Sequence, residues 1–267
     1  MVGGNAQDPG ESGHDESRHH APLRLDPEKK SRRASERDEA KRADWRAQTK
    51  GIEPDRFVWI DETGSNLGMT RAYSRAPRGQ RAIGIVPASR GPNRTLIASL
   101  TLAGPGPGLL LDEPLDREAF DAYITHLIAP TLKAGQIVVV DNLKAHHSDR
   151  ARRAIEERGA HLWYLPPYSP DFNPIEEAFS KVKAFLRTAA PRTPEDHQAA
   201  IWAALRSITP DDADGWFVHA GYPGSRRRRP KRPARPKPRP IVPSPFPDAP
   251  PVITLRIPSG VVFDHLW

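Results

Sequence analysis

The chain has 267 residues, 37% of them hydrophobic, and a formal net charge of +7. It has no cysteine, which excludes disulfides and thiolate metal sites and suits a reducing compartment. No apolar run reaches the ~18 residues that span a bilayer, and the polar N-terminus holds no signal-peptide core, so a cytoplasmic protein without a membrane partner is expected.

Residues 1–25 are rich in Gly, Ser, Asp and His and are predicted to be a disordered N-terminal segment. Asp26-Pro27 then reads as a helix start, Asp as cap and Pro at the first helical position. Residues 27–50 are predicted to form a charged helix with Trp45 as its main anchor, so that 26–54 leads into the core. The apolar run 57–60 ends at Asp61 and is followed by the turn-like Thr63-Gly64-Ser65-Asn66, a buried strand feeding a loop. Residues 94–102 read as a second strand with Gly and Pro beyond it as breakers, and 81–86 and 108–111 are candidates to pair with it. Residues 116–128 place Phe120, Tyr123, Ile124, Leu127 and Ile128 at helical spacing. The β-branched run 137–140, ending at Asp141, suits a strand covered on both faces. A helix over 148–158 and a strand over 160–165 follow. Asn173 as cap and Pro174 at the first position then start a helix running to about Arg187, and a last helix covers about 194–207. This order predicts an α/β domain with a mixed sheet over residues 55–222.

Residues 224–251 hold ten prolines among arginines and are predicted to be extended and disordered, within a basic Pro/Arg-rich tail over 223–267. Nine Lys and Arg lie between Gly224 and Pro240 with no acid among them, which leaves the rest of the chain close to neutral. Such a tail either meets a polyanion or is simply solvated. Residues 252–267 alternate in polarity without an evident partner and read either as a frayed strand or as a segment not selected to fold.

Two apolar runs each deliver an aspartate, Asp61 and Asp141, to a strand end, where α/β sheets open a crevice. Glu176 falls in the first turn of the helix after Asn173-Pro174. If the strands are adjacent, these carboxylates can cluster around divalent ions. Two such ions ~3.5–4 Å apart activate an attacking oxygen and stabilise a leaving one in phosphodiester chemistry. A single strand-end Asp is more often a turn residue, and the helix dipole alone favours a Glu in a first turn. Glu177 is an equally good carboxylate, while Asp112, Glu113 and Asp116 bracket Pro114 and read as a loop before a helix.

Three segments break this tie by resemblance: Ile60-Asp61-Glu62-Thr63-Gly64, Val140-Asp141-Asn142-Leu143-Lys144-Ala145-His146, and Pro166-Pro167-Tyr168-Ser169-Pro170-Asp171-Phe172-Asn173-Pro174-Ile175-Glu176. Together they strongly resemble the DDE transposases of bacterial insertion sequences related to the mariner superfamily, including the 34 residues between Asp141 and Glu176. Residues 75–81 and Gly221-Tyr222 also look like family segments. The resemblance implies a ribonuclease-H-like mixed sheet flanked by helices. It implies Asp61, Asp141 and Glu176 as catalytic metal ligands for two Mg²⁺ or Mn²⁺ ions, and settles against Glu177. It further implies cleavage at transposon ends and attack of the freed 3′-OH on target DNA, at TA dinucleotides in related elements, by a protein acting at the nucleoid. Pairing of two ends implies a homodimer. The 60 residues that precede Asp61 lack the apolar helices of an end-recognition region, so a separate upstream polypeptide is expected to supply it. Arg75, Arg78, Arg81 and Lys144 are candidates for DNA phosphates, as are Arg226, Arg227, Arg228 and Arg229 of the tail. His146 contacts a phosphate, orders the Asp141 loop, or is an ordinary surface histidine. Two other readings stand beside the transposase: a non-catalytic remnant that binds DNA through its tail, and a stand-alone metal-dependent nuclease.

Overall fold

The computed structural model describes residues 34–71 and 73–224, together with two strands at 253–256 and 262–266. The expected segment 1–25, the start of the predicted first helix and, within the expected 223–267 tail, residues 225–252 with Arg226–Arg229 lie outside the described residues.

Helix α1 spans Glu39–Thr49. The expected start at Asp26-Pro27 is not used by the described part of the chain, because residues 34–38 are not helical. The cap is Asp38, whose carboxylate accepts from Lys41 N at 3.1 Å. Arg42, Trp45 and Thr49 form its buried stripe.

Five strands make the centre of a mixed sheet: β1 (Phe57–Ser65), β2 (Arg94–Thr101), β3 (Gly104–Leu111), β4 (Ile137–Val140) and β5 (His161–Tyr164). Their order is β5-β4-β1-β2-β3, and a terminal pair, β6 (Ile253–Arg256) and β7 (Val262–Leu266), continues the sheet as β3-β7-β6. β1, β2 and β3 form an antiparallel meander, while β4 and β5 run parallel to β1. Alternate residues of the apolar runs feed opposite faces. Phe57, Trp59, Ile137 and Val139 join one core layer, and Val58, Ile60, Val138 and Val140 join the other.

The first layer packs against α1, α4 (Ile175–Ala189), α5 (Pro194–Arg206) and α6 (Pro210–His219). The second packs against α2 (Arg117–Ala122), its π-helical continuation Tyr123–Ile128, and α3 (Asp149–Glu156). Asp116 and Ser148 cap α2 and α3. Helix α6 is an addition to the sequence reading. It starts on a capping box in which Thr209 and Asp212 satisfy each other's backbone N–H groups, with Pro210 at the first position.

Several expectations need correction. β1 does not end at Asp61 but continues through Thr63 and Gly64, because β2 pairs with it as far as Ser65↔Arg94. Gly104 to Pro107 do not break the sheet; they begin β3. A register shift between Ala98 and Leu100 accommodates them. There the Ser99 hydroxyl donates to Pro107 O at 3.3 Å, and Tyr123 Oη donates to the same oxygen at 2.7 Å. A Cβ on Gly106 would lie 2.5 Å from Ser99 Oγ, so glycine leaves room for that hydroxyl. Residues 81–86 do not pair with β2, since β1 and β3 already occupy its two edges. They belong to an arm joining β1 to β2, on which Tyr73, Ile83 and Ile85 are almost wholly exposed.

Candidate active site

The register of β1 with β4 pairs Phe57 with Ile137 and Trp59 with Val139. The same offset, carried on by two residues, brings Asp61 alongside Asp141. β4 stops at Val140 while β1 runs on, so β1 loses its parallel neighbour beside Asp61. Such a strand end is where α/β sheets build their sites, although Asp61 itself is mid-strand. By the alternation of the strand, Asp61 shares a face with Phe57 and Trp59, the face covered by α4.

Asp61 is buried and fully engaged. Its Oδ1 accepts from Glu62 N at 2.8 Å, and its Oδ2 accepts from Asn173 Nδ2 at 2.8 Å. Asn173 is therefore not the cap of α4. Pro174 holds that position without a side-chain bond, and Asn173 reaches across to β1 instead. Asn173 O accepts from Glu176 N at 3.2 Å, so one residue touches both carboxylate-bearing elements.

Electrostatics tie the acids together. Burial pushes the Asp61 carboxyl well above the usual carboxylate range, and the charges of Glu62, Glu176 and Asp141 add to it against the pull of the Glu62 N–H. Burial also raises Glu176; Lys183 opposes this, while Asp141, Glu62 and Glu177 reinforce it. Glu177 itself points elsewhere, with its Oε1 3.5 Å from His219 Nε2 on α6. The structure thus brings Asp61, Asp141 and Glu176 into one field.

His146 and Glu62 complete the cluster. His146, for which a phosphate contact, an ordering role at the Asp141 loop and a surface position were all open, is fully buried and faces the carboxylates. Its Nδ1 is 2.7 Å from Asp141 Oδ1 and its Nε2 is 3.4 Å from Glu62 Oε2. Neither contact has hydrogen-bond angles, so the imidazole is held as a charge between charges. Burial lowers its pKa, but Asp141 and Glu62 more than reverse this and raise it to about 9. Phe120 covers the ring at 4.6 Å. The loop after Asp141 is locked locally. Asp141 Oδ1 accepts from Leu143 N at 3.0 Å, Asn142 Oδ1 lies 2.7 Å from His147 Nε2, and Tyr164 Oη donates to His146 O at 3.1 Å.

Glu62 was missed because strand alternation points it to the face opposite Asp61. Only the reach of His146 around the end of β4 joins the two. Its signal was its place beside Asp61 in Ile60-Asp61-Glu62. Arg75, Arg78 and Arg81 are exposed on the arm, and Lys144 is exposed in the turn before His146.

Residues 56–196, more than half of the chain, match the family model described as DDE superfamily endonuclease. The chain belongs to this DDE superfamily endonuclease family. Its fold is that of the Mos1 transposase paired-end complex with left transposon end, at TM-score 0.52 and 16% identity over 76% of this chain and 68% of that one. The Mos1 mariner paired end complex with Mn aligns at TM-score 0.55 and 16% identity, over 74% of this chain and 63% of that one. The mariner Mos1 paired end complex with Mg aligns at TM-score 0.51 and 14% identity, over 75% and 68%. Identity this low speaks for the fold alone, and that fold is the ribonuclease-H-like mixed sheet the sequence led us to expect. No curated protein matches the chain.

The donor set of this DDE-superfamily chain is chemically suited to a hard divalent cation. It is built of carboxylate oxygens, and Glu62 Oε2 and Asn173 Oδ1 are buried with no hydrogen-bond partner. Among the described residues no three His, Asp or Glu side chains already converge at ligand distance. Among the described residues no helix is long and apolar enough to cross a membrane.

Proposed function

We propose that the chain is the catalytic domain of a transposase, cleaving DNA at the ends of an insertion sequence and joining the freed 3′ ends to target DNA. The domain runs over residues 55–222, with DNA as partner. The observation that carries the reading is that Asp61 on β1, Asp141 just past the end of the adjacent parallel β4, and Glu176 in the first turn of α4 stand close enough to act on one another by charge.

Asp61, Asp141 and Glu176 would hold Mg²⁺ or Mn²⁺, two ions in all, as the resemblance to the transposase family implies. When bound, such ions activate the attacking oxygen and stabilise the leaving oxygen of a phosphodiester. Asn173 fixes the orientation of the Asp61 carboxylate. His146 holds Asp141 by charge and keeps Glu62 from competing freely for the same cation. Burial of Asp61 keeps water from its side of the cluster, which strengthens the interactions it makes there. Arg75, Arg78, Arg81 and Lys144 are exposed cations free to meet phosphates, and Arg226–Arg229 would add a basic tail. Assembly as a homodimer on paired ends, with an upstream polypeptide for end recognition, belongs to the same proposal.

The test is strand cleavage and strand transfer on labelled DNA carrying the inverted repeats that flank the coding sequence. It is run with Mg²⁺, with Mn²⁺ and with chelator, beside Asp141→Asn. Metal-dependent products that disappear in the variant are expected. Products that survive chelator, or that Asp141→Asn still makes at the wild-type rate, would sink the reading.

A further inference from the structure

Arg42 of α1 is a large charged side chain with no exposure at all. Burying a guanidinium is costly unless it is paired, and even a well-made buried ion pair contributes little net stability; what it contributes is fixed geometry. Arg42 has such a geometry. Its Nη1 and Nη2 donate to Asp171 Oδ1 and Oδ2 at 2.9 and 2.6 Å, a two-pronged pair that sets the plane of the carboxylate. Its guanidinium also lies 3.8 Å above the centre of the Phe172 ring, and Arg46 approaches the same ring at 4.9 Å. The backbone of Phe172 is held from the other end of the domain, where its carbonyl accepts from Tyr222 Oη at 2.8 Å, and that oxygen accepts from Trp45 Nε1 at 3.0 Å.

The clamped turn, Pro170–Phe172, leads directly into Asn173. Asn173 donates to Asp61 Oδ2 through its side chain and accepts from Glu176 N through its carbonyl. A continuous set of contacts therefore runs from α1 through Asp171 and Asn173 to two of the three acids. Docking α1 alone would need no charge here, since Trp45 already anchors it among apolar groups.

We propose that Arg42 is a positioning residue of the metal site: by gripping Asp171 and Phe172 it sets Asn173, and through Asn173 the orientation of Asp61 and Glu176. The proposal rests on the reading of those acids as metal ligands.

The test is Mn²⁺ binding to the full chain, followed by the electron paramagnetic resonance signal of the free ion, at a temperature where every variant is folded. Arg42→Met keeps the aliphatic bulk and removes the fork; Arg42→Lys keeps the charge without the two-pronged geometry. Leu127→Ala in the opposite core layer is a control for loss of stability alone. Arg42→Met is expected to weaken Mn²⁺ binding about tenfold, with Arg42→Lys recovering only part of this. Leu127→Ala should leave the affinity unchanged. In an Asn173→Ala background Arg42→Met should cause no further loss, because the path is already cut. The Asn173 side-chain amide protons should also exchange faster with solvent in Arg42→Met than in the wild type. Wild-type affinity in Arg42→Met, or losses that simply add to those of Asn173→Ala, would overturn the proposal and leave the metal site standing. Mn²⁺ binding that ignores Asp61→Asn and Asp141→Asn would instead remove the metal site, and this proposal with it.

Discussion

Asp61 is a residue whose surroundings work against its own charge. With its carboxyl raised by burial and by three neighbouring acids, it binds a proton more tightly in the folded state than in the unfolded one. Its contribution favours folding at low pH and is lost as pH rises through the raised value. At neutral pH, without metal, Asp61→Asn should therefore raise the melting temperature, by roughly 2–4 °C for each kcal/mol of repulsion relieved. The new amide meets two donors, Glu62 N and Asn173 Nδ2, but the Asn173 amide can turn its unpartnered Oδ1 toward it. A fall in melting temperature in chelator would contradict this account of the site. His197 behaves in the opposite sense. It is buried in α5, and burial, helped by Arg94, lowers its pKa to about 4. The unfolded state then takes up a proton first as pH falls. The stability of neutral His197 is complete above the unfolded value near 6.5 and drains away between there and about 4, at most about 3 kcal/mol. Urea midpoints at pH 7 and pH 5 should differ accordingly, and His197→Gln should flatten that difference.

At the scale of elements, the parts that could be read from sequence were those in which one physical signal acted alone. β4 is four buried β-branched residues, and α2, α3 and α5 begin at ordinary caps or prolines, so their placement followed directly. The parts that were missed are those where tertiary pairing outweighed local preference. Thr63-Gly64 looks like a turn, yet β2 pairs with it; Gly104 to Pro107 look like breakers, yet a bulge takes them into β3. Asn173-Pro174 has the form of a cap, yet the asparagine is drawn to a buried carboxylate. Asp61 and Asp141 were found because apolar runs lead to them, and His146 by its nearness to Asp141 in the sequence, while Glu62 joins the site only through a fold that no local pattern encodes. The bulge can be tested directly. Gly106→Ala would push its Cβ onto Ser99 Oγ and break the bond to Pro107 O, at a cost of about 1 kcal/mol. Adding Ser99→Ala should cost little more, since the bond is already lost and Ser99 Cβ stands 3.7 Å away from the new methyl. Denaturant unfolding of the single and double variants would read this, and a fully additive loss would mean that the glycine is needed for another reason.

For the molecule as a whole, the sheet divides the interior into two core layers, and the acid cluster lies where they meet at the end of β4. A cation that binds only the folded state should then stabilise the whole domain. With Mn²⁺ at about a hundred times its dissociation constant the gain is ~2.7 kcal/mol. The wild type should show it as a rise in melting temperature, and Asp141→Asn should show little or none. Equal stabilisation of both would place the ion elsewhere on the protein.

The arm between β1 and β2 leaves the sheet at Ser65 and returns at Arg94, and these two residues are register partners. Just beyond them Leu67 N donates to Arg90 O at 3.1 Å, which closes the base of the arm a second time. The arm therefore begins and ends at one point, and the sheet below it does not depend on its length. The entropy of closing such a loop changes by only about 0.6 kcal/mol for each doubling of its size. In the language of chain design the segment is a cassette: residues 71–88 could be exchanged for a short turn, or for a longer insert, with the domain still folding to the same sheet. Whatever the arm touches can thus change in composition and reach while the sheet that carries the carboxylates stays as it is.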